Sequence, residues 1–230
     1  MRRFRIAIVI IHGFTGNLYD NEYLANYLEL NSKYDVYAKT LPGHNKDRFS
    51  KATKEDFIKS VDDEIKTLVN VGYKKIYVIG HSMGGILTTY LAGKYKEIKK
   101  IVLINAAFLY ANTKQGDPRD SKLKVIIDKV MRTSPSIFLE FTKLVKDSKK
   151  YLKDVKCDTL ILRSMKDEVV PMEAADLIYK TIPTTKKYLT NIKDGKHTVL
   201  SSSKKEVTSV YIESFLKGGR IWKKSMKKEI

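Results

Sequence analysis

The chain of 230 residues has a single cysteine, Cys157. No disulfide can form within it, and zinc clusters built on several cysteines are excluded. Long hydrophobic runs are also missing. No uninterrupted apolar run exceeds six residues, the length of Ile6–Ile11. A membrane-spanning helix needs about 20, so no stable membrane insertion is expected. The basic start, residues 1–5, followed by that run has the outline of a signal peptide. The run is too short, however, and leads into His12-Gly13 with no small-residue cleavage site. It reads as a buried strand, and a cytoplasmic protein is the expectation. Repeats and low-complexity linkers are absent from the pattern.

Acidic residues and arginine are both scarce. There are 26 acidic residues against 44 basic ones, a formal net charge of +18, and only 8 of the 44 are arginine. Lysines are spread through every segment, which reads as solvated faces. Nucleic-acid binding would rest on charge alone, with no motif behind it, and no nucleic-acid partner is expected. The segment 217–230 carries six basic residues and one acidic, with Trp222 among them. Weak contact with an anionic surface is what such a segment could make.

Against these absences stand an apolar fraction of 43%, enough for one sizeable core, and a regular alternation of patterns. Strand-like runs fall at 5–11, 34–40, 75–79, 98–104, 158–163 and 186–190. Helical spacing falls at 20–31, 53–70, 83–95, 173–180 and 205–217. Thr53 with Asp56 three residues on is a near capping box for the second of these helices. Strands alternating with helices predict an α/β fold: a mostly parallel sheet of about six strands with helices on both faces.

One stretch breaks the alternation. Residues 109–156 hold no convincing strand but two amphipathic helical patterns. The first is Leu123, Val125, Ile126, Ile127, Val130 and Met131. The second is Ile137, Phe138, Leu139, Phe141, Leu144 and Val145. The expected organisation is a core of 1–108 and 157–230 with 109–156 inserted as a small helical cap. Such helices either extend the core or form a lid, and the length of the insertion favours the lid.

The sharpest local signal is Gly80-His81-Ser82-Met83-Gly84, a G-x-S-x-G element between a predicted strand and a predicted helix. A tight strand-to-helix turn exposes the serine hydroxyl at the top edge of the sheet. The helix N-terminus adds positive potential there. A serine hydroxyl needs a base to become a nucleophile. Of four histidines, His81 flanks the serine and is expected to point away from it. His12 and His44 end early strands. His197 lies late in the chain, between the last strand and the last helix, and is the candidate base. The orienting acid should lie between Ser82 and His197 after a strand, and Asp167 fits. Glu168 and Asp194 compete, Asp194 being more simply a turn residue beside Gly195. His12-Gly13-Phe14-Thr15-Gly16 after the first strand supplies a second donor loop. The backbone N–H groups of Phe14 and Met83 are the candidate oxyanion hole. His12 is expected to brace that loop by a side-chain hydrogen bond.

Taken in order, HGFTG, Leu41-Pro42-Gly43-His44, GHSMGG, DEVVP and the late histidine resemble the α/β-hydrolase superfamily. The likeness is to small bacterial carboxylesterases and monoacylglycerol-lipase-like enzymes with a short helical cap. The resemblance implies a catalytic Ser82, Asp167 and His197, oxyanion donors Phe14 and Met83, and a structural role for His44. Ser164 stands where relatives commonly carry glycine, and Lys196 precedes the histidine. A serine nucleophile disfavours the haloalkane and epoxide branches, and neither metal nor cofactor is expected. The expected reaction is hydrolysis of short-to-medium acyl esters, monoacylglycerols included, with Ile137, Phe138 and Phe141 lining the acyl channel. The alternatives are an acyl thioesterase and a non-catalytic lipid-binding protein on a hydrolase scaffold.

Overall fold

The computed structural model describes residues 5–45, 48–49, 51–109, 135–218 and 229–230. Six strands form one sheet: β1 (Ile6–Ile11), β2 (Asp35–Ala38), β5 (Lys75–His81), β6 (Ile98–Ile104), β7 (Asp158–Ser164) and β8 (Lys187–Ile192). Their order is β2-β1-β5-β6-β7-β8, and every pairing is parallel. A separate two-residue pair, β3 (His44–Asn45) and β4 (Arg48–Phe49), is antiparallel. It was not among the expected elements.

Alternation along the strands builds two cores. Ala7, Val9 and Ile11 of β1, with Ile76 and Val78 of β5, face one side. There they meet α2 (Lys54–Asn70), α3 (Met83–Lys94), α4 (Pro135–Ser148) and α5 (Glu173–Thr181). Ile8, Ile10, Tyr77 and Ile79 face the other side, against α1 (Glu22–Asn31) and α6 (Lys205–Lys217). A parallel sheet covered on both faces has apolar residues at successive positions, which is why β1 reads as an unbroken apolar run. The capping box of α2 is present: Thr53 Oγ1 accepts from the Asp56 N–H, and Asp56 accepts from the Thr53 N–H. It satisfies donors that a helix N-terminus otherwise leaves orphaned.

The second helical pattern of the 109–156 stretch is α4. The first, Leu123 to Met131, lies outside the described residues. Ile137, Phe141, Leu144 and Val145 are buried in the same core cluster as α2 and α3. Glu140 accepts from the Lys54 N–H at the start of α2 (3.0 Å), and Asp147 accepts from Lys54 Nζ (2.8 Å). Among the described residues, no helix is long and apolar enough to cross a membrane. Most of the basic 217–230 segment lies outside the described residues.

Candidate active site

The C-terminal ends of β1, β5, β6, β7 and β8 share one edge of the sheet. In parallel sheets this edge, near the point where strand order reverses, is where ligands bind. The reversal lies between β1 and β5. The loops leaving these two strands carry HGFTG and the serine element.

Ser82 sits between β5 and α3 with φ 53° and ψ −116°. Few non-glycine residues adopt such a backbone, and it persists only where the surroundings enforce it. The enforcement is visible. The Ser82 N–H donates to the Ile104 carbonyl of β6 (2.9 Å), while the Ser82 carbonyl accepts from Gly85 (3.0 Å) and Ala107 (3.2 Å). The flanking glycines permit the closeness. A Cβ at Gly80 would fall on the Gly84 carbonyl and Thr88 Oγ1, and one at Gly84 on the Ile11 carbonyl. The serine is held rigidly at the N-terminus of a buried 12-residue helix, whose dipole favours negative charge there.

The structure brings Asp167 and His197 to this serine. His197 Nε2 lies 3.1 Å from Ser82 Oγ. His197 Nδ1 lies 2.9 Å and 3.0 Å from the two carboxylate oxygens of Asp167. A carboxylate only accepts, so Nδ1 carries the proton and the Nε2 lone pair faces the serine. The Asp167 side chain is 3% exposed, and its Oδ1 also accepts from the Val169 and Val170 N–H groups (2.8 Å each).

The competing acids are elsewhere. Glu168 accepts from the backbone N–H of His197 (3.2 Å) and touches neither ring nitrogen. Asp194 occupies a turn with φ 58° and pairs with Lys166 at 2.5 Å.

The loop after β1 lies directly beneath. A Cβ on Gly13 would meet Ser82 Cβ at 3.0 Å. His12 is fully buried and braces this loop. The Leu41 N–H donates to its Nε2 (2.8 Å), so its Nδ1–H donates to the Gly13 carbonyl (2.8 Å). Burial pushes the His12 imidazole down to about 4, despite the Gly13 bond. It is therefore neutral near pH 7. His44, with Nδ1 2.8 Å from the Pro42 carbonyl, is likewise buried and lowered. Met83, as the first residue of α3, has no partner four residues back within the helix for its N–H.

The ring of Phe14 stacks on Phe141 of α4 (centroids 4.7 Å apart) and lies 6.2 Å from that of Phe138. Ile137 is 1% exposed and packed into the core behind them.

Asn105, to which no motif gives a role, is 4% exposed and sits with φ 46° just after β6. His81 is buried and has its Nε2 2.8 Å from the His197 carbonyl. Burial, and then the neighbouring His197, push the His81 imidazole down to about 3. A polar residue ending the apolar run of β6 at the ligand edge was the available signal for Asn105.

Comparisons with known proteins agree with this fold. A family model described as alpha/beta hydrolase fold matches residues 6–124. The thermostable monoacylglycerol lipase of Bacillus sp. (strain H-257) is 28% identical over 208 residues, 84% of this chain and 82% of that protein. The carboxylesterase of Bacillus subtilis (strain 168) is 23% identical over 227 residues, 91% of this chain and 92% of that one. Among solved structures, a monoacylglycerol lipase from Paleococcus ferrophilus superposes with a TM-score of 0.72 at 19% identity. It covers 91% of this chain and 93% of its own.

Proposed function

The chain belongs to the α/β hydrolase fold family, and on that premise we propose that it is a serine carboxylic-ester hydrolase. The observation that carries the reading is the unbroken relay from Asp167 through His197 to a strained Ser82. Lipase and esterase relatives covering most of the chain support it.

The chemistry follows from the atoms. Ser82 Oγ attacks the acyl carbonyl as His197 Nε2 takes its proton. The imidazolium that forms is stabilised by Asp167. The carbonyl oxygen becomes an oxyanion within reach of the Phe14 and Met83 N–H groups, where losing one donor typically costs about 10²–10³ in turnover. Collapse breaks the bond to the alcohol, whose oxygen takes the proton back from His197. Water, activated by the same histidine, then attacks the acyl-enzyme, releasing the acid and restoring Ser82.

Within this reading, 109–156 acts as a cap and the acyl chain runs against Phe14, Phe138 and Phe141. Three clustered apolar rings, one of them following the Gly13 that packs against Ser82, suit a short-to-medium acyl group, monoacylglycerols included.

The test is a series of p-nitrophenyl esters from acetate to palmitate, run beside acyl-CoA thioesters of matched length. Ester turnover that peaks at short or medium chains and exceeds thioester turnover supports the reading. Thioester turnover far above that on every ester overturns it in favour of a thioesterase.

A further inference from the structure

We propose that Asn105 is a positioning residue for this hydrolysis, its side chain clamping the backbone of His197 so that Nε2 stays within reach of Ser82. The inference rests on the reading of Ser82, Asp167 and His197 as one reacting unit.

Both ring nitrogens of His197 are engaged, one by Asp167 and the other by Ser82. Asp167 orients the ring through Nδ1, and the further holds on His197 act on its main chain. Asn105 Nδ2 donates to the His197 carbonyl (2.9 Å), to Ser164 Oγ (2.9 Å) and, more weakly, to the Lys196 carbonyl (3.3 Å). Asn105 Oδ1 accepts from the Ser164 N–H (2.8 Å). The amide orientation is determined by these partners, since only an oxygen can accept there and only a nitrogen can donate to two carbonyls. Asn105 adopts a positive φ of 46°, a backbone that asparagine tolerates better than most residues. That conformation lets one side chain reach both the end of β7 and the histidine loop.

The same short segment also grips the serine: Ala107, two residues on, donates to the Ser82 carbonyl (3.2 Å). Residues 105–107 thus touch the strand-to-helix turn at Ser82 (the elbow), the strand that leads to Asp167, and His197. His81 Nε2 and Glu168 add holds on the His197 carbonyl and N–H. Asn105 adds a tie from β6, binding the His197 carbonyl and the end of β7 with one side chain. Ser164, at the end of β7, is its partner in that joint.

Distances give the expected sensitivity. Proton abstraction needs heavy atoms about 2.6–3.2 Å apart, and Nε2 to Oγ is already 3.1 Å. A displacement of a few tenths of an ångström takes the pair out of range, and about 1 Å of misplacement costs roughly 10²-fold.

Two variants test this. Asn105→Asp keeps size, tolerance of positive φ and the acceptor for Ser164, but sets a carboxylate oxygen against two carbonyls. Asn105→Gly deletes the side chain where glycine suits the backbone, and serves should the aspartate variant not fold. The readouts are kcat and KM on p-nitrophenyl butyrate, the rate at which a fluorophosphonate labels Ser82, and the low-field proton resonance of His197 Nδ1–H. For a folded variant the expectation is kcat down about 10²-fold with KM little changed. Labelling should slow in parallel and the resonance should broaden or vanish. A folded variant with wild-type kcat and an unaltered resonance overturns the proposal, leaving Asn105 a purely structural residue. Hydrolysis that survives Ser82→Ala overturns instead the functional reading, and the resonance then judges the clamp by itself.

Discussion

Asp167→Asn is a change of one atom, and the surroundings of Asp167 dictate its effect. Oδ1 accepts from the N–H groups of Val169 and Val170, and both oxygens face His197 Nδ1. In the variant, the amide oxygen stays under the two backbone donors, because an NH2 group there would confront two N–H groups. The amide nitrogen then takes the Oδ2 position, 2.9 Å from Nδ1. Two donors cannot share that contact, and the amide oxygen at the Oδ1 position, 3.0 Å from Nδ1, already accepts from two backbone N–H groups, so the neutral imidazole is expected to move its proton to Nε2. A protonated Nε2, 3.1 Å from Ser82 Oγ, cannot receive the serine proton. In Ser-His-Asp triads the wrong tautomer lowers kcat by about 10⁴, or about 5 kcal/mol in the barrier. Steady-state kinetics on p-nitrophenyl butyrate, beside a thermal melt, measures it. The expected result is a fall in kcat of about 10³–10⁴ with the melting temperature nearly unchanged, since volume and fold are kept. A folded variant losing less than about tenfold in kcat would refute the tautomer argument.

Asp62 of α2 is 7% exposed at its side chain and meets Lys66 (2.6 Å), Lys94 (2.7 Å) and Tyr95 (2.8 Å), tying α2 to α3. Burial alone would raise its pKa, but these partners outweigh it and hold the carboxyl down to about 2. A depressed pKa contributes stability that is full above the unfolded value near 3.8 and lost as pH falls through about 2. Asp62→Asn should therefore lower stability by about 1–2 kcal/mol at pH 7, half-exposed lysines trimming the full linkage value. The gap between urea midpoints should narrow as pH falls through about 3 toward 2, and an equal gap at both ends contradicts this. Gly84→Ala sets a methyl group against the Ile11 carbonyl. Overpacking of about 1–3 kcal/mol should lower the melting temperature by several degrees and reduce turnover, so an unchanged melt would show that the elbow has slack. Phe138→Ala and Phe141→Ala should each shift the preferred ester toward longer chains, and an unaltered chain-length profile removes these rings from the acyl channel.

The fold was legible because its strands are buried on both faces. A run such as Ile6–Ile11 has no polar residue to confuse with a turn, and the Thr53/Asp56 pair marked the start of α2. The meeting of Ser82, Asp167 and His197 was legible because each follows the C-terminal end of a strand. What escaped notice depends on tertiary placement. The β3–β4 pair has two residues per strand, too few for any periodicity to register. Asp62 looks in sequence like one more charge on a solvated helix face, yet it is buried among partners from two helices. Asn105 carries no motif; its partners come from residues 57 to 92 positions further along the chain. The aromatic contact of Phe14 with Phe141 likewise joins segments more than 100 residues apart, which spacing cannot reveal.

Ser82, activated by His197, is proposed to form an acyl-enzyme. Intact-protein mass spectrometry of the enzyme quenched during turnover of a p-nitrophenyl ester, with the modified peptide sequenced, wild type beside Ser82→Ala, detects that species. One acyl group per chain is expected, carried on Ser82 in the wild type and absent from Ser82→Ala, whose hydrolysis collapses. An acyl group on another residue, or undiminished hydrolysis by Ser82→Ala, would contradict it.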